Sequence, residues 1–207
     1  MTITTDTLAI SWSGGYRRAA DFLELTKPRV ALMVLVTTFV GFYLAAEPTA
    51  GYFRLLETLI GTALAAGGTL ALNQFLERQA DGLMERTRHR PLPDGRVQPN
   101  EALLFGVLFT AAGLLILALA VNMLSALVTA SIVGSYLFVY TPLKQRSPLC
   151  GVVGAVPGAL PPLIGWAAAS GHLALDAWVL FAIMFLWQIP HTLAIARLYR
   201  DDFAKAG

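Results

Sequence analysis

Three residues, Asn73, Glu77 and Asp81, follow one another at intervals of four, and three arginines, Arg86, Arg88 and Arg90, come soon after them. On an α-helix a step of four advances about 400°, so the three lie within an arc of about 80° and roughly 6 Å apart along the axis. One helix face therefore presents an amide oxygen and two carboxylates. Carboxylates this close repel unless something positive sits between them. Mg²⁺ suits that place, because it takes one or two carboxylates and completes its shell with water and substrate phosphates. Guanidinium groups just beyond supply paired N–H donors for phosphate oxygens. Together these residue types describe a site for a diphosphate on a lipid tail. A plainer reading stays open: Glu77 and Asp81 are solvated charge at a helix end, paired with neighbours such as Arg78 or Arg86.

The element that must carry this face is apolar. The fifteen residues before Asn73, "TLIGTALAAGGTLAL", hold no charge, and the whole chain is 56% hydrophobic and 14% charged. Soluble domains carry roughly 25% charged residues, so composition alone selects a membrane protein. Between Glu101 and Lys144 there are 42 residues without Lys, Arg, Asp or Glu. As helix these extend about 63 Å, twice a hydrocarbon core of about 30 Å, which predicts a hairpin turning near Asn122 to Ser125. The same reasoning gives six spans, near 30–46, 56–76, 102–121, 125–141, 149–169 and 177–196. Runs this long argue for helices, since a membrane barrel would show short alternating segments. The expected fold class is all-α, a polytopic helix bundle forming one domain over 26–207, preceded by a cytoplasmic or interfacial segment over 1–25.

Charge sets the orientation. With the N-terminus inside, 14 of the 15 basic residues fall in cytoplasmic segments and only Arg54 falls outside. The net charge of +2 is therefore topogenic, and nucleic acid is excluded as its reason. Residues 1–25 show no cleavable signal or transit pattern. Cys150 is the sole cysteine, so an intrachain disulfide is impossible. His191 lies inside the sixth span beside Pro190, and an ionisable group there is a functional candidate by default; a histidine bonded to the carbonyl freed by Pro190 is the alternative.

"NQFLERQADGLMERTRHRPLPDGRV" resembles the first acidic motif of the UbiA-type intramembrane prenyltransferases. Its Met-x-Arg-Thr-x-x-Arg-Pro-Leu tail is similar to the protoheme IX farnesyltransferase (heme O synthase) branch. The resemblance continues through "YTPLKQRSPLCGVVGAVPGALPPLIGWAAASG" and "FLWQIPHTLAIARLYRDDFAKAG", covering Thr26 to the end. It implies transfer of a farnesyl group from farnesyl diphosphate to a vinyl group of heme B, with release of diphosphate, in service of heme-copper oxidase assembly. The cofactor it implies is Mg²⁺, held by Asn73, Glu77 and Asp81, with Arg86 and Arg90 on the diphosphate oxygens. Lys144 and Arg146 would face the same diphosphate, or else be topogenic charge only. His191 would ligate the heme iron or anchor a propionate, and Trp187 and Gln188 would line the porphyrin slot, with aromatic packing the plainer role there.

The chain departs from the superfamily's second acidic motif. Positions 198 and 206 are Leu and Ala, so Asp202 stands beside Asp201 without a partner four residues away. The resemblance assigns Asp202 to a second Mg²⁺ and leaves Asp201 as solvated charge. "GAVPGALPPLIGW" would shape the channel through close helix approach at glycine and carbonyls freed by proline. The family has nine helices, so the six spans are expected to be part of a longer bundle whose substrate chamber the chain alone leaves open. Membrane lipid and heme A synthase are the expected partners, and a bacterial inner membrane the location. The rival readings are a sister prenyltransferase acting on a quinone precursor or other aromatic acceptor, and a transporter. A transporter would carry ionisable residues near the midplane, whereas these clusters lie at the cytoplasmic ends of the spans.

Overall fold

The computed structural model describes residues 5–46, 51–144, 146–147, 149–200, 202 and 204, with the side chains of 5–14 excepted. The described residues are helical and form no strand. Helix α1 (Thr5–Leu25) precedes six apolar spans. These are α2 (Pro28–Ala45), α3 (Tyr52–Leu83), α4 (Pro99–Ile116) with a wider π turn to Val121, and α5 (Met123–Gly134) extended through a π segment into α6 (Thr141–Leu143). The fifth is α7 (Cys150–Ala159) with α8 (Pro161–Ser170), and the sixth is α9 (Leu175–Leu198). The membrane-spanning bundle is therefore all-helical, with each span where the charge-free runs predict it.

Local chemistry sets several boundaries. Pro28 and Pro99 stand in first turns, where a missing N–H costs nothing. Gln98 and Glu101 close a reciprocal capping box on α4. The predicted hairpin turns at Asn122, whose side-chain oxygen accepts from Ser125 N at 2.8 Å and so caps α5. The fifth span differs from the single helix the sequence suggests. It breaks at Leu160, because Pro161 and Pro162 cannot donate into the preceding turn. The carbonyl of Pro161 accepts instead from Thr38 Oγ1 at 3.2 Å.

Hydrocarbon gives little reason for one apolar helix to prefer another over lipid, so packing rests on close backbone approach at small residues. Two seams do this. Between α3 and α4, a Cβ on Gly68 would lie 2.5 Å from Thr110 N, and one on Gly113 2.4 Å from Ala65 N. Between α2 and α8, a Cβ on Gly41 would lie 1.9 Å from Pro162 O, and one on Gly165 1.9 Å from Thr38 O. These seams fix α3 beside α4 and α2 beside α8. The remaining faces of α2, α3, α5, α7 and α9 border a central cavity.

Candidate active site

Helix α3 runs unbroken through Asp81, so Asn73, Glu77 and Asp81 lie on one face, and all three are buried. Each meets a cation from a different part of the chain. Lys27, in the turn between α1 and α2, donates to Asn73 Oδ1 at 3.0 Å. Lys144, directly after α6, lies 3.1 and 3.3 Å from the two Glu77 oxygens. Arg90, in the loop after α3, donates to Asp81 Oδ2 at 2.6 Å. Asn73 also donates to Thr141 Oγ1 at 3.2 Å, tying α3 to the end of the fourth span. The partners of the two carboxylates are therefore 67 and 9 residues away, not the adjacent arginines of the plainer reading.

In the sequence Lys27 is one of the 14 basic residues assigned to the cytoplasmic side, with no other role. Its backbone is left-handed (φ 46°), which Lys rarely adopts, and this is the only positive φ outside glycine among the described residues. Burial lowers its ammonium to about 8, with Arg90 adding to the depression against the opposing pull of Glu77 and Asp81. The one sequence signal was its place, a basic residue immediately before the proline that starts a span.

The loop after α3 is pinned from two sides. Thr87 Oγ1 donates to the Asp81 carbonyl at 2.8 Å, which holds the turn that returns Arg90 to Asp81. Arg96 bridges Glu24 and Asp94, and also pairs with Asp21, fastening the loop to α1. Asp202 accepts from the backbone N–H groups of Glu85 and Arg86, each at 3.2 Å. The reduced second motif thus reaches the first through the loop backbone. Arg86 is exposed, with its guanidinium 5.0 Å above the Tyr199 ring, so it stands apart from Arg90. Arg146 is exposed beyond Lys144. Asp201 and Phe203 lie outside the described residues.

The donor set fits Mg²⁺. Asp81 Oδ1 is buried with no hydrogen-bond partner, an orphaned oxygen of the kind that a cation satisfies. Among the described residues no three His, Cys, Asp or Glu side chains converge. Two carboxylates and an amide match a metal that draws its other ligands from water and phosphate, not one enclosed by protein.

Below this head the cavity, about 480 Å³, opens between α2, α3, α5, α7 and α9. Trp187, Gln188 and His191 all border it. His191 is exposed among the described residues and stacked on Trp187, with ring centroids 4.8 Å apart. The Gln188 amide occupies the space over Gly158, where a Cβ would lie 2.2 Å from Nε2, and its Oε1 has no partner. Gly154 likewise makes room for the Tyr140 ring. The glycine- and proline-rich run therefore shapes the chamber wall at named positions.

Residues 34–207 match the model of the UbiA prenyltransferase family. A protoheme IX farnesyltransferase of Solibacter usitatus is 48% identical over 90% of the chain, which covers 67% of that relative. Another, of Myxococcus xanthus, is 46% identical over 91% of the chain and 64% of its own length. One of Koribacter versatilis is 39% identical over the whole chain and 68% of the relative. The chain thus spans about two thirds of the length of these curated relatives. Among solved structures, a UbiA homolog from Archaeoglobus fulgidus bound to DMAPP and Mg²⁺ superposes with a TM-score of 0.73 at 21% identity, over 90% of this chain and 66% of that one. A digeranylgeranylglyceryl phosphate synthase gives 0.75 at 16% identity, over 87% and 63%. At these identities the likeness is one of fold.

Proposed function

We propose, from the premise that the chain belongs to the UbiA prenyltransferase family, that it transfers a farnesyl group from farnesyl diphosphate to a vinyl group of heme B, giving heme O. The observation that carries the reading is the head of α3: three acceptors on one face, each holding a cation, above an apolar cavity. The relatives named protoheme IX farnesyltransferase support heme as the acceptor over a quinone precursor.

Asn73, Glu77 and Asp81 would hold Mg²⁺, with Asp202 contributing from the end of α9. When bound, the metal withdraws charge from the leaving diphosphate. Lys27, Lys144 and Arg90, released from their present partners, turn to the diphosphate oxygens and stabilise the charge that develops there. Arg86 and Arg146 steer the anion from the exposed rim. The bond between the first farnesyl carbon and oxygen breaks, and the vinyl group's terminal carbon attacks the allylic cation. Water then adds to the adjacent carbon, and its proton leaves with diphosphate. The apolar wall keeps water from the allylic cation until the vinyl carbon reaches it. Trp187, Gln188 and His191 form the face offered to the porphyrin.

The distribution of basic residues supports placing the loops 77–100 and 142–148 and the C-terminus on the cytoplasmic side of a bacterial inner membrane. The test is incubation of the protein in membranes with heme B, farnesyl diphosphate and Mg²⁺, followed by mass analysis. Heme gaining a hydroxyethylfarnesyl group is expected. Prenylation of a hydroxybenzoate in place of heme would overturn the choice of acceptor.

A further inference from the structure

The face of α3 that carries Asn73, Glu77 and Asp81 continues into the bilayer as Leu70, Ala66 and Thr62, all bordering the cavity. Head and chamber are one stripe of a single helix. From Asn73 to Thr62 the rise is about 16 Å at 1.5 Å per residue. There the chamber closes. On α3 the lining ends at Thr62, and Thr58, one turn further along, is fully buried. On α2 the lining ends at Thr37. The next residue, Thr38, bonds to Pro161 O, and Gly41 is pressed on Pro162 O. The broken junction of α7 and α8 therefore crosses beneath the chamber, and Pro161 and Ile164 form its floor.

The floor carries one buried hydroxyl without a partner, Thr62 Oγ1, and is otherwise apolar, because its other threonines bond within their own helices. Thr37 Oγ1 donates to Met33 O and Val34 O, each at 3.0 Å, and Thr129 Oγ1 donates to Ser125 O at 2.8 Å. Neither hydroxyl needs a partner from the chamber. Such a floor suits the end of a hydrocarbon chain.

We propose that Thr62, Thr37 and Ile164 set prenyl length, acting as a stop one farnesyl chain below the diphosphate head. The proposal rests on the prenyl-transfer reading of the same site. With carbon–carbon bonds of about 1.5 Å advancing about 1.25 Å each, the twelve-carbon main chain of farnesyl reaches about 14 Å. One more isoprene unit extends that to about 19 Å, past the floor. Geranyl, one unit shorter, leaves the lower chamber unfilled and forfeits its contacts.

The test measures binding of geranyl, farnesyl and geranylgeranyl thiolodiphosphates with Mg²⁺ by calorimetry, alongside heme prenylation with the three diphosphates. The unsubstituted protein should prefer farnesyl. Thr62→Phe and, separately, Thr37→Phe raise the floor and should each shift the preference toward geranyl at least tenfold. Ile164→Ala lowers it and should increase geranylgeranyl binding, while Thr62→Val should leave the order unchanged. Equal binding of all three chains by the unsubstituted protein would overturn the proposal. So would a farnesyl preference that none of the floor variants moves. If Thr62→Phe binds none of the three, Thr37→Phe and Ile164→Ala decide. If lengths shift as expected but heme is not prenylated, the choice of acceptor fails and the ruler stands.

Discussion

Arg90→Met is the perturbation that most directly interrogates the head of α3. Asp81 is 1% exposed and the Arg90 side chain 21%, and their 2.6 Å contact is the only one Asp81's carboxylate makes within the described residues. Removing one partner of a buried pair leaves an uncompensated charge and costs about 3–5 kcal/mol. Because Arg90 keeps some access to water, the lower end, about 3 kcal/mol, applies. Asp81→Asn in the same chain removes the stranded charge, so the double variant should recover about 2 kcal/mol of that loss. The assay is reversible unfolding of the single and double variants in detergent micelles without Mg²⁺, analysed as a double-mutant cycle. Mg²⁺ added to Arg90→Met alone should restore part of its stability, since a cation then reaches Asp81 directly. A coupling energy below about 0.5 kcal/mol would mean the pair is a solvated contact, and the electrostatic account of the site would fall with it.

Asp81→Ala should abolish prenyl transfer while leaving membrane insertion and the number of spans intact, and activity persisting at limiting Mg²⁺ would contradict its role. Gly165→Ala places a methyl 1.9 Å from Thr38 O and should separate α2 from α8, seen as loss of folded protein on size-exclusion chromatography; an unchanged melting temperature would be the contrary result. Asp202→Ala frees the Glu85 and Arg86 amides and should speed their hydrogen exchange more than that of Thr87, whose own side chain stays bonded to Asp81. A cysteine at position 88 should resist impermeant thiol reagents applied to intact cells, and its labelling from outside would reverse the assigned sidedness.

The spans were legible because their signal is the absence of charge over a length fixed by the bilayer. Asn122 could be placed at the hairpin for the same reason. The acidic face was legible because Asn73, Glu77 and Asp81 sit on one helix, where spacing converts directly into geometry. Their partners were not. Lys27 and Lys144 reach α3 from 46 and 67 residues away, and no local period encodes such a meeting. The break at Leu160 was half visible: prolines 161 and 162 announce a disturbance, but only the Thr38 contact shows that α2 receives the freed carbonyl. Arg86 shows the limit of a motif, since its place beside Arg90 in sequence did not predict that it would turn to Tyr199.

Helix α3 serves two masters on opposite sides, the glycine seam with α4 and the stripe that runs from Asp81 down to Thr62. A methyl group added at Gly68 or Gly113 would push the helices apart by an ångström or more, and Asn73, Glu77 and Asp81 on the far side would travel with the backbone. Displacements of about 1 Å remote from the reacting atoms cost rate by about a hundredfold. In a saturation-mutagenesis map, the seam glycines would consequently appear as intolerant as the acidic residues themselves. Inheritance of function at this site is then a matter of backbone spacing as much as of charge, and an engineer wishing to redirect the enzyme would do best to leave the α4 side untouched.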